Sequence, residues 1–194
     1  MKNIPSGSDL PLLLHCCCAV CAAGCLKRLF SEEPGRAIYL FFSNSNLNSS
    51  AEFERRLAAL ETLAEYYDLP LITDEYDHDS WLEVAGPYAH CPERGERCKH
   101  CFRFSLNRTA IFAEQHNFAA FATTLTVSPH KSSKLIAEIG SSWPAFDFHD
   151  FKKRNGFLFS LQISETLNLY RQNYCGCEFS LISRQNQMSV DPAK

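Results

Sequence analysis

The chain of 194 residues contains no run of about 18 uninterrupted apolar residues, so a membrane-spanning helix is not expected. It also has no excess of positive charge: 19 Lys and Arg stand against 22 Asp and Glu, for a net charge of −3. Indiscriminate nucleic-acid binding is therefore not expected, although a local basic face remains compatible with that balance. No internal repeat or low-complexity tract is present, which removes solenoid architectures. Glycine is scarce, at eight residues, and no glycine-rich loop follows the first apolar run, where a nucleotide-binding protein would cradle a phosphate. A composition 45% hydrophobic and 21% charged is still that of one globular domain with a substantial core.

Cysteine is abundant: ten residues, five of them within LLLHCCCAVCAAGC at 12–25. A chain of this length does not need disulfide staples, so the thiols point to metal binding or redox chemistry in a reducing compartment. AAGC at 22–25, ending an apolar stretch, resembles a lipoprotein cleavage site. Asp9 directly before that stretch and His15 within it both run against a signal, whose flank is basic and whose centre is apolar. A cytoplasmic protein is expected.

Runs rich in strand formers occur at 11–16, 36–44, 69–76 and 118–124, with FDFHDF at 146–151 as a last strand. Helical patterns occupy 19–30, 49–69, 78–88, 99–116, 158–170 and 178–187. Leu57, Leu60, Leu63 and Ala64 mark the buried face of the second, with Ser49 or Ser50 as its N-cap. SPHKSSKLIAEIGSSW at 128–143 adds a helix with Pro129 near its first turn. The alternation predicts a single α/β domain over 9–187 with a mostly parallel, doubly wound, Rossmann-like sheet, and loose termini at 1–8 and 188–194. Such sheets bind ligands beyond the carboxyl ends of their strands, where cysteines 16–21 fall.

Three cysteine groups carry the chemistry: Cys17, Cys18 and Cys21; Cys98 and Cys101; Cys175 and Cys177. A lone C-x-x-C pair is a weak signal, but seven thiolates exceed both one tetrahedral zinc and one four-cysteine cluster. Four for a cluster leave three for a further ion with an open position. Successive side chains of an extended chain face opposite ways, so Cys17 and Cys18 are expected to serve two different metals. Cys175 and Cys177 lean the same way, and Gly176 permits backbone to approach a cluster closely. Cys16 reads as strand packing, Cys25 as core, Cys91 as a loop bystander and His15 as a satisfied structural histidine. Arg94, Arg97, Lys99, Arg103 and Arg108 form one basic segment and Lys152, Lys153 and Arg154 another; alone, both read as solvated surface.

HCCCAVC, GERCKHCF, TTLTVSPHK, DFKKRNGF and LYRQNYCGCEFSL, in that order across 12–183, resemble the QueH-type epoxyqueuosine reductases, a cobalamin-independent family. The resemblance implies reduction of epoxyqueuosine to queuosine at the wobble position of tRNA, the last step of that modification. It also implies a [4Fe–4S] cluster beside a separate mononuclear iron, fed by an external one-electron donor such as a ferredoxin or flavodoxin. On this basis Cys17, Cys98, Cys101 and Cys175 are expected to hold the cluster, and Cys18, Cys21 and Cys177 the iron, with an open position toward substrate. Cys21 stands where some relatives have aspartate, which suits a ligand. Tyr170, Arg171, Gln172 and Tyr174 flank the last ligands and are candidates to orient the sugar-like ring or donate protons. Thr123, Thr124, Ser128 and Lys131 follow a strand end and suit phosphate or ribose, as do Asp150, Lys152 and Lys153 at the same rim. Phe102, Phe104 and Phe157 lie among basic residues and can stack a splayed base or pack the core. Two readings of other classes stay open: a zinc protein that binds RNA without catalysis, and a nucleotide-dependent tRNA sulfur-transfer enzyme, for which the glycine loop is missing.

Overall fold

In the computed structural model, which describes residues 11–190, the apolar runs form strands β1 (Leu12–His15), β2 (Ile38–Phe42), β3 (Leu71–Thr73) and β4 (Ala120–Thr123). They make one parallel sheet of order β3-β2-β1-β4, with Leu14 level with Leu40 on one side and Ala122 on the other. Parallel strands covered on both faces carry unbroken apolar runs, as LLLH and IYLFF do here. The helices are α1 (Ala19–Glu32), α2 (Ser50–Tyr66), α3 (His78–Ala85), α4 (Glu96–Gln115), α5 (Ser133–Gly140), α6 (Gly156–Thr166) and α7 (Glu178–Val190).

Alternation along β1 divides the core in two. Leu12 and Leu14 pack with Leu26 and Leu29 of α1, Phe53, Leu60 and Leu63 of α2, and Ile163 of α6. Leu13 points the other way, into Phe121 of β4, Phe102 and Leu106 of α4, and Ile136 and Ile139 of α5. The sheet is thus wound on both faces, and its carboxyl edge is left for a ligand. Helices α1 and α6 approach closely at Gly24, where an added Cβ would lie 2.2 Å from both the Gly156 carbonyl and the Ser160 hydroxyl. Ser49 caps α2, its side chain accepting from the Glu52 N–H at 3.3 Å, as one of the two expected serines should.

Several boundaries differ from expectation, among them β3, confined to Leu71–Thr73, and α6, which ends at Thr166 rather than 170. FDFHDF is not a strand: only Phe146 bridges to Phe121. Beyond it the backbone leaves the sheet because Thr126 claims it, donating from its hydroxyl to the His149 carbonyl at 2.7 Å and accepting from the Phe151 N–H. Helix α5 begins not near Pro129 but after Ser132, whose side chain accepts from the Leu135 N–H at 3.2 Å and caps it. Helix α7 continues through Val190, past the expected end at 187. Of the expected loose ends at 1–8 and 188–194, residues 188–190 belong to α7, and 1–8 and 191–194 lie outside the described residues, among which no helix is long and apolar enough to cross a membrane.

Candidate metal centre

The centre is built on the end of the middle strand. His15, the last residue of β1, is fully buried and tied on both ring nitrogens: Nε2 donates to the Ser43 carbonyl at 3.1 Å and Nδ1 accepts from the Thr123 hydroxyl at 2.9 Å. Burial lowers its pKa to about 4, so the ring is a neutral brace between strand ends. Next, Asn44 donates its amide to the Cys16 carbonyl at 2.8 Å. The chain then bends at Cys17 and enters α1 with Cys18 as N-cap, its sulfur accepting from the Cys21 N–H at 3.4 Å.

That bend cancels the alternation expected of Cys17 and Cys18. The sulfurs of Cys17, Cys18 and Cys21 all lie within 4.8 Å of one another. Two sulfurs bound to one ion at about 2.3 Å each can be no more than about 4.6 Å apart, so the triad is nearly of single-ion size. Packing still separates its members: Cys17 rests on the α4 side of the sheet with Cys98, and Cys21 on the α1/α2 side. The Cys17 and Cys21 thiols donate toward Cys18, which lowers the Cys18 pKa, with the nearby Arg56 charge helping. Cys17 is pushed up to about 11 by the same hydrogen bond, and Cys21 is raised as well.

The other two groups face this triad. Cys98 and Cys101 lie one turn apart in the first turns of α4; Cys175 and Cys177 sit in the loop between α6 and α7. All seven cysteines line one cavity of about 540 Å³ at the carboxyl edge of the sheet. Burial raises Cys98 and Cys101 and pushes Cys177 up to about 12, so metal uptake must displace protons. Arg56, Arg94, Arg97, Lys131, Arg171 and Arg184 also line the cavity, against Glu93 as the only acidic residue among the described residues that line it. Burial opposes the Lys131 charge, yet the cysteine sulfurs clustered around it, that of Cys175 foremost, raise its pKa. Three buried donors of this wall, Arg56 Nη2, Trp81 Nε1 and Arg97 Nε, have no acceptor among the described residues. An all-sulfur ligand set in a positively charged wall with spare N–H groups fits a thiolate-bound, net anionic metal centre.

A family model described as Epoxyqueuosine reductase QueH matches residues 12–183. The chain belongs to the QueH family. The epoxyqueuosine reductase QueH of Acinetobacter baylyi is 33% identical over 185 residues, covering 92% of this chain and 84% of that protein. That of Thermotoga maritima is 33% identical over 184 residues, covering 91% and 93%. That of Dehalococcoides mccartyi is 32% identical over 186 residues, covering 89% and 93%. The family is one of reductases, and this QueH chain is accordingly an oxidoreductase.

The other candidate residues divide by position. Ser128, Lys131, Arg171, Gln172 and Tyr174 line the QueH cavity with the cysteines. The Tyr174 hydroxyl donates to Asn48 Oδ1 at 2.8 Å, and burial raises its pKa. Tyr170 is directed away, donating to Glu52 at 3.1 Å. Thr124 is fully buried and holds Cys17 from two directions, accepting from its N–H at 3.1 Å and donating to its sulfur at 3.4 Å. Asp150, Lys152 and Lys153 stand outside the cavity lining. Asp150 accepts from the Ser133 hydroxyl at 2.8 Å, Lys152 donates to the Lys131 carbonyl, and Lys153 is exposed. The basic segment of α4 is not one solvated face: Arg97 is buried on the Ala89 and Cys91 carbonyls, and Arg108 pairs with Asp74 at 2.7 Å. Phe102 is core, while Phe157 is half-exposed at the cavity wall. Cys16 and Cys25 are wholly buried, the former donating to the Leu14 carbonyl at 3.2 Å.

Two wall residues escaped the reading of motifs. Arg56 sits on α2 with its side chain 2% exposed, bound to Glu52 at 2.8 Å and donating to the Cys175 carbonyl at 3.1 Å. Gly176, at φ +136°, makes room for it: a Cβ there would lie 3.2 Å from the guanidinium and 2.6 Å from Leu47. The glycine thus admits Arg56 and Leu47, which were not the expected neighbours. Its signal was an arginine at apolar spacing, since 53, 56, 60 and 63 share one helix face. Trp81, an apolar residue on a short helix, carried no such signal.

Proposed function

We propose that this chain reduces epoxyqueuosine in tRNA to queuosine, using a [4Fe–4S] cluster and a separate iron. The observation that carries the reading is the convergence of seven cysteines from three separate segments on one basic cavity, in a chain of the QueH family. Cys98, Cys101 and Cys175, with Cys17 on the α4 side beside Cys98, would hold the cluster. Cys18 and Cys21, joined at the start of α1, would hold the iron together with Cys177. Cys177 is the ligand on which this division turns, because it packs with Cys101 and Trp81. When bound, the two centres would supply electrons and a Lewis-acidic position for an epoxide oxygen.

The overall reaction takes two electrons and two protons, breaks both C–O bonds of the epoxide, and releases the oxygen as water. The chain's own residues bind and orient. Arg171 and Gln172 reach the cavity from the loop before Cys175, opposite Ser128 and Lys131 after β4, so hydroxyl, amide and cationic donors meet a sugar-like ring and its phosphates from two sides. Tyr174 holds a proton on Oη beside Cys175, now shared with Asn48. Phe157 at the wall offers an aromatic face to a base drawn out of a single-stranded loop. The electrons come from an external one-electron donor of the ferredoxin or flavodoxin class.

Anaerobic incubation of iron-reconstituted protein and a low-potential reductant with epoxyqueuosine-containing tRNA, followed by nucleoside mass spectrometry, tests the reading. Queuosine should form without added cobalamin. Persistent epoxide with a full complement of iron and sulfide would overturn the assignment, and a colourless protein containing zinc would replace it with the non-catalytic reading.

A further inference from the structure

Trp81 is the largest fully buried side chain, and its indole N–H has no acceptor among the described residues. A buried donor without a partner is a cost that phenylalanine in the same space would avoid. The ring cannot turn to find one. It stacks on His78 with centroids 5.4 Å apart and is backed by Phe179 at 6.2 Å. It forms a small packed group with Ala85, Cys101 and Cys177, and it lines the cysteine cavity. The sulfurs packed with it there are those of Cys101 and Cys177, and the indole lowers the Cys101 thiol pKa although no hydrogen bond is formed between them.

We infer that Trp81 donates its indole N–H to the metal-bound sulfur of Cys101 and so raises the reduction potential of the cluster. This rests on the two-centre reading above. A thiolate bound to iron is a stronger acceptor than a buried neutral thiol, so binding the cluster supplies the partner that the indole otherwise lacks. Reduction adds negative charge to the cluster and its sulfurs, and a donor aimed at one sulfur stabilises that state more than the oxidised one. Trp81 is therefore a tuning residue that acts through a ligand and touches neither substrate nor the reacting atoms. Arg56 Nη2 and Arg97 Nε, the other unpartnered donors of the wall, contribute charge of the same sign from α2 and α4.

The test is an anaerobic redox titration of wild-type and Trp81→Phe holoprotein, followed by visible absorption and electron paramagnetic resonance, with iron and sulfide assayed in each. At the potential where wild type is half reduced, the variant should show a reduced-to-oxidised ratio lower by roughly fivefold, the weight of one net hydrogen bond. A variant with full iron and an unmoved ratio overturns the inference. Should Trp81→Phe fail to retain iron, a second measurement decides. The chain has two tryptophans, Trp81 and Trp143. A Trp143→Phe protein grown on indole-15N tryptophan therefore carries the label at Trp81 alone. Its reduced cluster should show a 15N hyperfine coupling in pulsed spectra, and no coupling overturns the inference. Wild-type protein that takes up neither iron nor sulfide overturns the two-centre reading and this inference with it.

Discussion

Cys17 and Cys21 begin within 4.8 Å of each other and of Cys18, yet they rest on opposite faces of the sheet. On the proposed two-centre reading, metal ligation would have to resolve that tension, and single substitutions test how. On the proposed division Cys98→Ala removes a cluster ligand, so it should bleach the visible absorption and lower the melting temperature, since metal binding and folding are coupled. Cys21→Ala should keep the colour and abolish turnover, and Cys21→Asp should restore part of it, because a carboxylate is an acceptable ligand for iron. Equal loss of absorption in Cys21→Ala and Cys98→Ala would show that one centre draws on both groups. The seven cysteines that converge on the cavity were legible because cysteine is uncommon in proteins and chemically loud. Their supports were not: Thr124 looks like a phosphate-facing hydroxyl but is spent on Cys17, and Lys152 is drawn onto the Lys131 carbonyl. A side chain of ordinary type declares its role only through its neighbours.

The elements obeyed their periodicity wherever burial enforced it. LLLH and IYLFF could be read as strands because both sheet faces are covered, and α2 because its apolar stripe and Ser49 cap agree. FDFHDF misled because alternation is a local property, whereas strand pairing needs a partner, and past Phe146 the Thr126 hydroxyl competes for the backbone. Helices α1 and α6 pack tightly at Gly24, which leaves no room for a methyl group. Gly24→Ala should destabilise the protein by about 1–3 kcal/mol, the usual cost of overpacking, in spite of the better helix propensity of alanine. Denaturant unfolding would measure it. Because Cys18 caps α1, separation of α1 from α6 should also lower iron occupancy on the proposed reading, whereas Gly86→Ala, with open space around that Cβ and an ordinary helical φ, should leave iron content unchanged.

The molecule as a whole is acidic while its cavity is basic, and the net charge of −3 conceals that contrast. Binding of tRNA should therefore be strongly salt-dependent despite the pI of 6.2. Lys153 is exposed and unoccupied by any contact described above, whereas the Lys152 ammonium is engaged. Lys153→Ala should reduce the slope of log affinity against log salt by about 0.7 to 0.9, the value of one lost phosphate contact. Filter binding of tRNA at graded salt would measure it, and an unchanged slope would return Lys153 to ordinary surface.

The cavity gathers cysteines from both ends of the domain: Cys17 follows the first strand by two residues, and Cys177 immediately precedes α7. During synthesis, five of the seven cysteines emerge long before Cys175 and Cys177 can join them. For that interval the triad offers a site to any thiophilic ion, and copper and zinc bind such sites more tightly than ferrous iron does. On the proposed iron-binding reading, the order of the chain would set the completion of translation against capture of the wrong ion.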